Sequence, residues 1–317
     1  MTNEYDKDMR ARRAQKALKR RVTYEIMHMD SVVAQLSSSG DARVLLPLFM
    51  PYDLWLDEDD DIDTLVNNMV NFYHWCSSRM LTLDRKYAKE IMNSIGAAQA
   101  VTDRDRAEIA LSYRCLTLTD VYWVRELGDD VSFSGIDLYD HHLDDALVPL
   151  ALRGRQMTVT NNEMASDIST RGLYPKAWIC RGDDFILLKD GGTDAVRREL
   201  AASRICQCFD FRQVVYTEGM FEDEPVTESR LITSKKYSIV SKMAFDIFAV
   251  NNDIDTLSEC LRLDPVTYYG MNIIDYLTGN TDRHPENWGF LVDNRTNTAA
   301  SLYPLMDFNQ CFNSYDN

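Results

Sequence analysis

The stretch NTDRHPENWGFL, residues 280–291, restricts this chain more than any other. Asp282 is followed at once by Arg283 and His284, Asn287 stands five positions past the aspartate, and an apolar run begins directly behind it. Upstream, TYYGMNIIDYLTGN carries apolar residues at the three-and-four spacing of a helix and ends on glycine. Downstream, WGFLV and SLYPLMDF read as strands. A short polar loop bearing a carboxylate and an amide is therefore expected between a helix and a strand.

The remainder divides into three textures. Residues 1–155 read as a mainly α-helical N-terminal domain, with TLVNNMVNFYHWCSSRML and DRKYAKEIMNSIGAAQA as its clearest helices. Residues 156–235 read as short strands separated by turns, namely QMTVT, KAWIC, FILLK, QVVYTEG and ESRLITS, with one helix in DAVRRELAASRICQCF. Residues 236–317 return to helix in SIVSKMAFDIFA, DIDTLSECLRL and TYYGMNIIDYLTGN before the loop and its two strands. The fold class expected is α+β.

Composition narrows the setting. No stretch approaches the roughly 18 consecutive apolar residues of a membrane helix, and the charged start MTNEYDKDMRARRAQKALKRR has no apolar run behind it. The seven cysteines are odd in number and scattered, which suits core filling in a reducing, cytoplasmic setting. A net charge of −16 argues against broad binding to nucleic acid or to an anionic membrane, because both need concentrated Lys and Arg. The acidic run DEDDDID fails as a calcium loop, since Ile62 and Asn68 stand where an EF-hand requires Gly and Glu; a solvated loop is expected there.

Moving a phosphoryl group from ATP to a hydroxyl needs a carboxylate to orient the hydroxyl and take its proton. It also needs oxygen ligands for Mg²⁺, a Lys on the phosphates and a Glu to hold that Lys. The chain offers one candidate for each: Asp282 as base, Asn287 and Asp307 as metal ligands, Lys189 at the end of FILLK, and Glu199 ten residues on in RRELAASRI. STRGLYPK, residues 169–176 with Gly172 and Lys176, is the candidate turn over the phosphates. Leu231 and Thr233, after the strand ESRLITS, are candidates for a hinge that takes the adenine. Each piece alone has a plainer reading: an exposed hairpin lysine before Gly191 and Gly192, a strand that simply ends at MDF, an Asp-x4-Asn turn. Their joint order is what favours phosphoryl transfer. His284 is expected to hydrogen-bond its own loop, and His141 with His142 to be a surface pair.

Taken together, these residues resemble the HipA-like serine/threonine kinases, the toxin-type bacterial kinases of toxin-antitoxin systems, and their relatives. The likeness runs from Ser169 to Phe308: S-x-x-G-x-x-P-K, the Lys189 strand, E-x-A-A-S-R-I, N-T-D-R-H-x-x-N and P-L-M-D-F. It implies a bilobal protein-kinase-like fold, here with an α-helical N-terminal extension. It implies ATP and Mg²⁺ as cofactors, a protein substrate phosphorylated on Ser or Thr, and an antitoxin-like or regulatory protein partner. It also implies autophosphorylation of Ser169 as an off switch, with a turn or capping serine as the alternative. The chain ends at Asn317, ten residues past Asp307, where the resemblance leads one to expect an activation segment and further helices. A truncated chain, packing taken over by the N-terminal helices, and a degenerate kinase all stay open. So do two other functions, a phosphoinositide-type lipid kinase and a nucleotide-binding pseudokinase or scaffold. The absence of basic residues in NQCFNSYDN speaks against the lipid substrate.

Overall fold

The computed structural model describes residues 22–83, 85–94, 100–141 and 174–313. Ser169, Gly172, the expected strand QMTVT and His142 lie outside the described residues.

The first segment corrects the mainly helical expectation. Strands β1 (Thr23–His28), β2 (Ser31–Ser37), β3 (Ala42–Val44) and β4 (Tyr122–Glu126) form an antiparallel sheet in the order β3-β2-β1-β4. Helices α1 (Ile62–Ser78), α2 (Ala88–Ser94) and α3 (Asp103–Ser112) accompany it. The strands escaped notice for physical reasons. In β4, Tyr122, Trp123 and Val124 are all buried, so the run lacks the alternation of a half-exposed strand. The β1–β2 turn is made by Met29, at φ 50°, and Asp30 without the glycine that usually marks a tight hairpin. Phe72 and Trp75 of α1 are buried with Ile26, Leu36 and Trp123 in one core. The acidic run ends in a cap: the Asp61 carboxylate accepts from the N–H groups of Asp63 and Thr64, both at 3.0 Å.

The second sheet comprises β5 (Lys176–Arg181), β6 (Asp184–Lys189), β7 (Thr217–Phe221) and β8 (Glu224–Arg230), ordered β5-β6-β8-β7. Helix α4 (Gly192–Gln207) leaves directly from β6. KAWIC, FILLK and the helix stand where expected. QVVYTEG is strand only from Thr217 onward; its first part instead pairs with residue 305, through the Gln213–Leu305 bridge and the Val214 N–H to the Leu305 carbonyl at 2.8 Å.

The third sheet is β9 (Tyr237–Ser241), β10 (Gly289–Asp293) and β11 (Thr298–Leu302), ordered β11-β10-β9. Helices α5 (Lys242–Asn251), α6 (Thr256–Leu263) and α7 (Pro265–Thr278) lie between β9 and β10 in sequence. SIVSKMAFDIFA is thus not one helix. Its first residues are β9, and Ser241 caps α5 by accepting from the Ala244 N–H at 3.2 Å. The strand expected in SLYPLMDF starts earlier, at Thr298, and ends at Leu302.

The first segment is tied to the rest by polar contacts at the β10–β11 turn. The Asn297 amide donates to the carbonyls of Leu48 and Met50, both at 3.0 Å, and accepts from the Tyr122 hydroxyl at 3.1 Å. Tyr52 donates to the Asn297 carbonyl at 2.9 Å and its ring stacks on Phe245.

Candidate active site

Lys189 ends β6 opposite Lys176 of β5. The chain then turns through Asp190 and Gly191 into α4, so these glycines open a helix and are not an exposed hairpin tip. A Cβ on Gly191 would come within 2.6 Å of the Ala195 side chain and 3.0 Å of the Tyr174 ring. Two turns into α4, Glu199 faces the sheet at 1% exposure. Its carboxylate accepts from Lys189 Nζ at 3.1 Å and from the Thr227 hydroxyl of β8 at 2.7 Å. A buried carboxylate without such partners would be strongly destabilising. Lys189 Nζ also reaches Asp307 Oδ1 at 2.5 Å, which completes a Glu–Lys–Asp chain.

That chain governs ionisation. Burial works against the Lys189 ammonium, but Asp307 and Glu199 outweigh it and hold its pKa above the ordinary lysine value. Burial pushes the Asp307 carboxyl up, yet Lys189 and Lys176 overcome this and bring it down to about 2. Lys176 is less well compensated: desolvation, with Lys189 beside it, outweighs Asp307 and Glu199 and lowers it to about 8.

Asp307 sits at φ 62°, in the left-handed region, where a non-glycine residue is held only by its surroundings. Two supports are visible. Its N–H donates to the Tyr216 hydroxyl at 3.1 Å, and the Leu305 N–H donates to the Arg212 carbonyl at 2.9 Å.

The Asp282 loop is held between α7, which closes on Gly279 at φ 59°, and β10. The Asn287 amide nitrogen donates to the Asp282 carbonyl at 2.9 Å, so its amide oxygen remains for a cation. Arg283 buckles the loop. It makes paired bonds to Asp275 at 2.9 Å and donates to the carbonyls of Asn287 at 3.1 Å and Met306 at 2.5 Å. The Asp282 loop and the Asp307 segment are thereby joined through one guanidinium. His284 serves its own loop, its Nδ1 accepting from the Glu286 N–H at 3.3 Å.

Lys176, Lys189, Asp282, Asn287 and Asp307 all line one cavity of about 630 Å³. Leu231 and Thr233 line it as well. The Leu231 N–H donates to the Phe185 carbonyl at 3.0 Å and the Thr233 hydroxyl donates to the Leu118 carbonyl. The proton of that hydroxyl is therefore engaged. Asn287 and Asp307 present an amide and a carboxylate oxygen, hard donors suited to Mg²⁺, although no group of three or more His, Cys, Asp or Glu gathers among the described residues. Tyr216 and Arg283 were given no role from sequence. Nothing local in YTEG or DRH announces bonds to a segment 91 or 23 residues away.

No protein-family model matches the sequence, and no curated protein matches it. Among solved structures the chain is similar to HipA of Shewanella oneidensis MR-1, solved with HipB and its operator DNA: 12% identity, TM-score 0.54, over 90% of this chain and 75% of that one. The fold is HipA-like. A second similar structure is the Helicobacter pylori proinflammatory kinase CtkA, with 18% identity and a TM-score of 0.37 over 45% of this chain; the chain spans 57% of CtkA's length. The HipA-like fold agrees with the mixed helix-and-sheet architecture described above. Because the HipA structure includes DNA, the likeness lends nothing to the exclusion of nucleic acid argued from net charge. Among the described residues no helix is long and apolar enough to cross a membrane.

Proposed function

We propose that the protein is a bilobal kinase that uses Mg-ATP to phosphorylate a Ser or Thr of a protein. The second sheet with α4 serves as one lobe, and the third sheet with α5–α7 as the other. The observation that carries this reading is the convergence on one cavity of Lys189, held from behind by Glu199, with Asp307 and the Asp282–Asn287 loop. Lys189 and Lys176 bind the phosphates, and Glu199 keeps Lys189 aimed. Asp282 orients the acceptor hydroxyl and takes its proton as the new O–P bond forms and the bond to ADP breaks. Asn287 and Asp307 would hold Mg²⁺, which when bound would supply charge neutralisation on the phosphates. Leu231 and Thr233 flank the adenine. Ser169 and Gly172, outside the described residues, are assigned from sequence to the phosphate-covering turn; on that assignment a phosphate on Ser169 would add about two negative charges where ATP must sit and so switch the enzyme off. By analogy with HipA in its complex with HipB, a regulatory protein partner is part of the proposal.

Incubation of the purified protein with Mg-ATP, followed by intact mass and site mapping, tests the reading. A gain of one phosphate on Ser169, absent in Asp282→Ala while that variant still binds ATP, is the expected result. Undiminished phosphorylation in Asp282→Ala would remove Asp282 from its role.

A further inference from the structure

The cavity continues past Leu231 and Thr233, and there its wall belongs to the first segment. Trp75, Ser78 and Arg79 contribute from the end of α1, and Thr117–Asp120 from the stretch before β4. This wall is fixed to both halves of the proposed kinase. The Ile239 N–H of β9 donates to the Thr119 carbonyl at 2.9 Å. The Thr233 hydroxyl donates to the Leu118 carbonyl, and the Arg85 guanidinium donates to the Lys176 carbonyl on β5.

The two ends of the cavity differ in chemistry. One end holds Lys176 and Lys189 together with Asn287 and Asp307, and on the kinase reading the metal-bound phosphates belong there. At the other, Arg79 is neutralised by two bonds to Asp120 at 2.6 and 2.9 Å. Its Nε is engaged by the Cys115 carbonyl at 2.6 Å, and its guanidinium lies 4.7 Å from the Trp75 ring centroid. That cation is therefore already satisfied and makes a poor phosphate ligand. What this end offers is the hydroxyl of the exposed Thr119, 2.8 Å from the buried Thr117 oxygen, on a wall that carries no uncompensated charge. Such a wall suits the uncharged, hydrogen-bonding base of a nucleotide better than its phosphates.

We propose that residues 75–79 and 117–120 form the base-recognition end of the nucleotide site. The first segment is then a working part of that site, and nucleotide selection depends on it. The inference rests on the kinase reading, and its test separates the two.

The full-length protein is photolabelled with 2-azido-ATP and 8-azido-ATP in the presence of Mg²⁺, with and without excess ATP, and the labelled peptides are mapped. Label that ATP displaces from peptides spanning 75–82 or 117–122 is the expected result. ATP-displaceable label confined to residues 174–313 overturns the base-recognition proposal and leaves the kinase reading standing. Absence of displaceable label, together with no ATP binding by calorimetry, takes down both. As a second measurement, Ser78→Phe should weaken Mg-ATP at least about tenfold while inorganic tripolyphosphate stays within about twofold. Unchanged ATP affinity in that variant counts against the proposal.

Discussion

At the residue scale, charge compensation decides which groups can work. Asp307 is placed by Lys189 on one side and by the Tyr216 hydroxyl behind its N–H. In Asp307→Ala, Lys189 keeps Glu199 but the cavity loses the carboxylate proposed to hold Mg²⁺. Calorimetry with and without Mg²⁺ should show the metal-dependent part of ATP affinity gone; wild-type affinity would displace Asp307 from its assignment. His28 makes a prediction independent of function. It is 4% exposed, its Nε2 has no hydrogen-bond partner, and the rings of Phe49 and Tyr122 lie against it. Burial lowers its pKa from 6.5 to about 4, with Asp120 opposing weakly. The unfolded chain therefore takes up this proton first as pH falls, so the stability contributed by neutral His28 is full above about 6.5 and is lost towards 4. Between pH 7 and 4.5 the wild type should lose about 2 kcal/mol more than His28→Phe in denaturant unfolding. Equal losses would show that His28 does not titrate in this way.

At the element scale, tight chain approach matters as much as apolar pattern. The loop–strand order around Asp282 was legible because helix periodicity, a terminal glycine and an apolar run are local signals. The Lys189–Glu199 pair was legible for a similar reason: a strand-end lysine and a glutamate two turns into the next helix can meet without distant help. The β9–α5 boundary was not, since SIVS and KMAF both mix apolar and polar residues and the break rests on one capping serine. Gly289 marks where β10 meets β9. A Cβ there would lie 2.1 Å from the Val240 carbonyl oxygen and 2.7 Å from the Lys242 nitrogen. Gly289→Ala should destabilise by about 2 kcal/mol or more, read as a lowered melting temperature; an unchanged value would mean the strands have room that the fold denies.

At the scale of the whole molecule, the first segment is joined to the third sheet through Asn297, whose amide and carbonyl serve four hydrogen bonds at the β10–β11 turn. Asn297→Ala takes the shared donor from the part-buried bonds to the Leu48 and Met50 carbonyls and removes the acceptor for Tyr122, while φ 53° suits asparagine better than alanine. A loss of about 2 to 3 kcal/mol is expected, with faster amide exchange in both β10–β11 and the 48–52 stretch. Exchange that rises in only one of them would show that the turn does not join the two. By itself the sequence offered the candidates: a carboxylate and an amide five positions apart, a strand-end lysine with a glutamate ten residues on, and the helix–loop–strand that carries Asp282, each marked by local spacing or periodicity. Only the tertiary structure decided that Arg283 and Tyr216 hold Asp307, that the first segment is built on a sheet, and that this segment walls the far end of the cavity. Those contacts join residues that are far apart in sequence, and their energy comes from burial and hydrogen bonding that exist only once the chain has closed on itself.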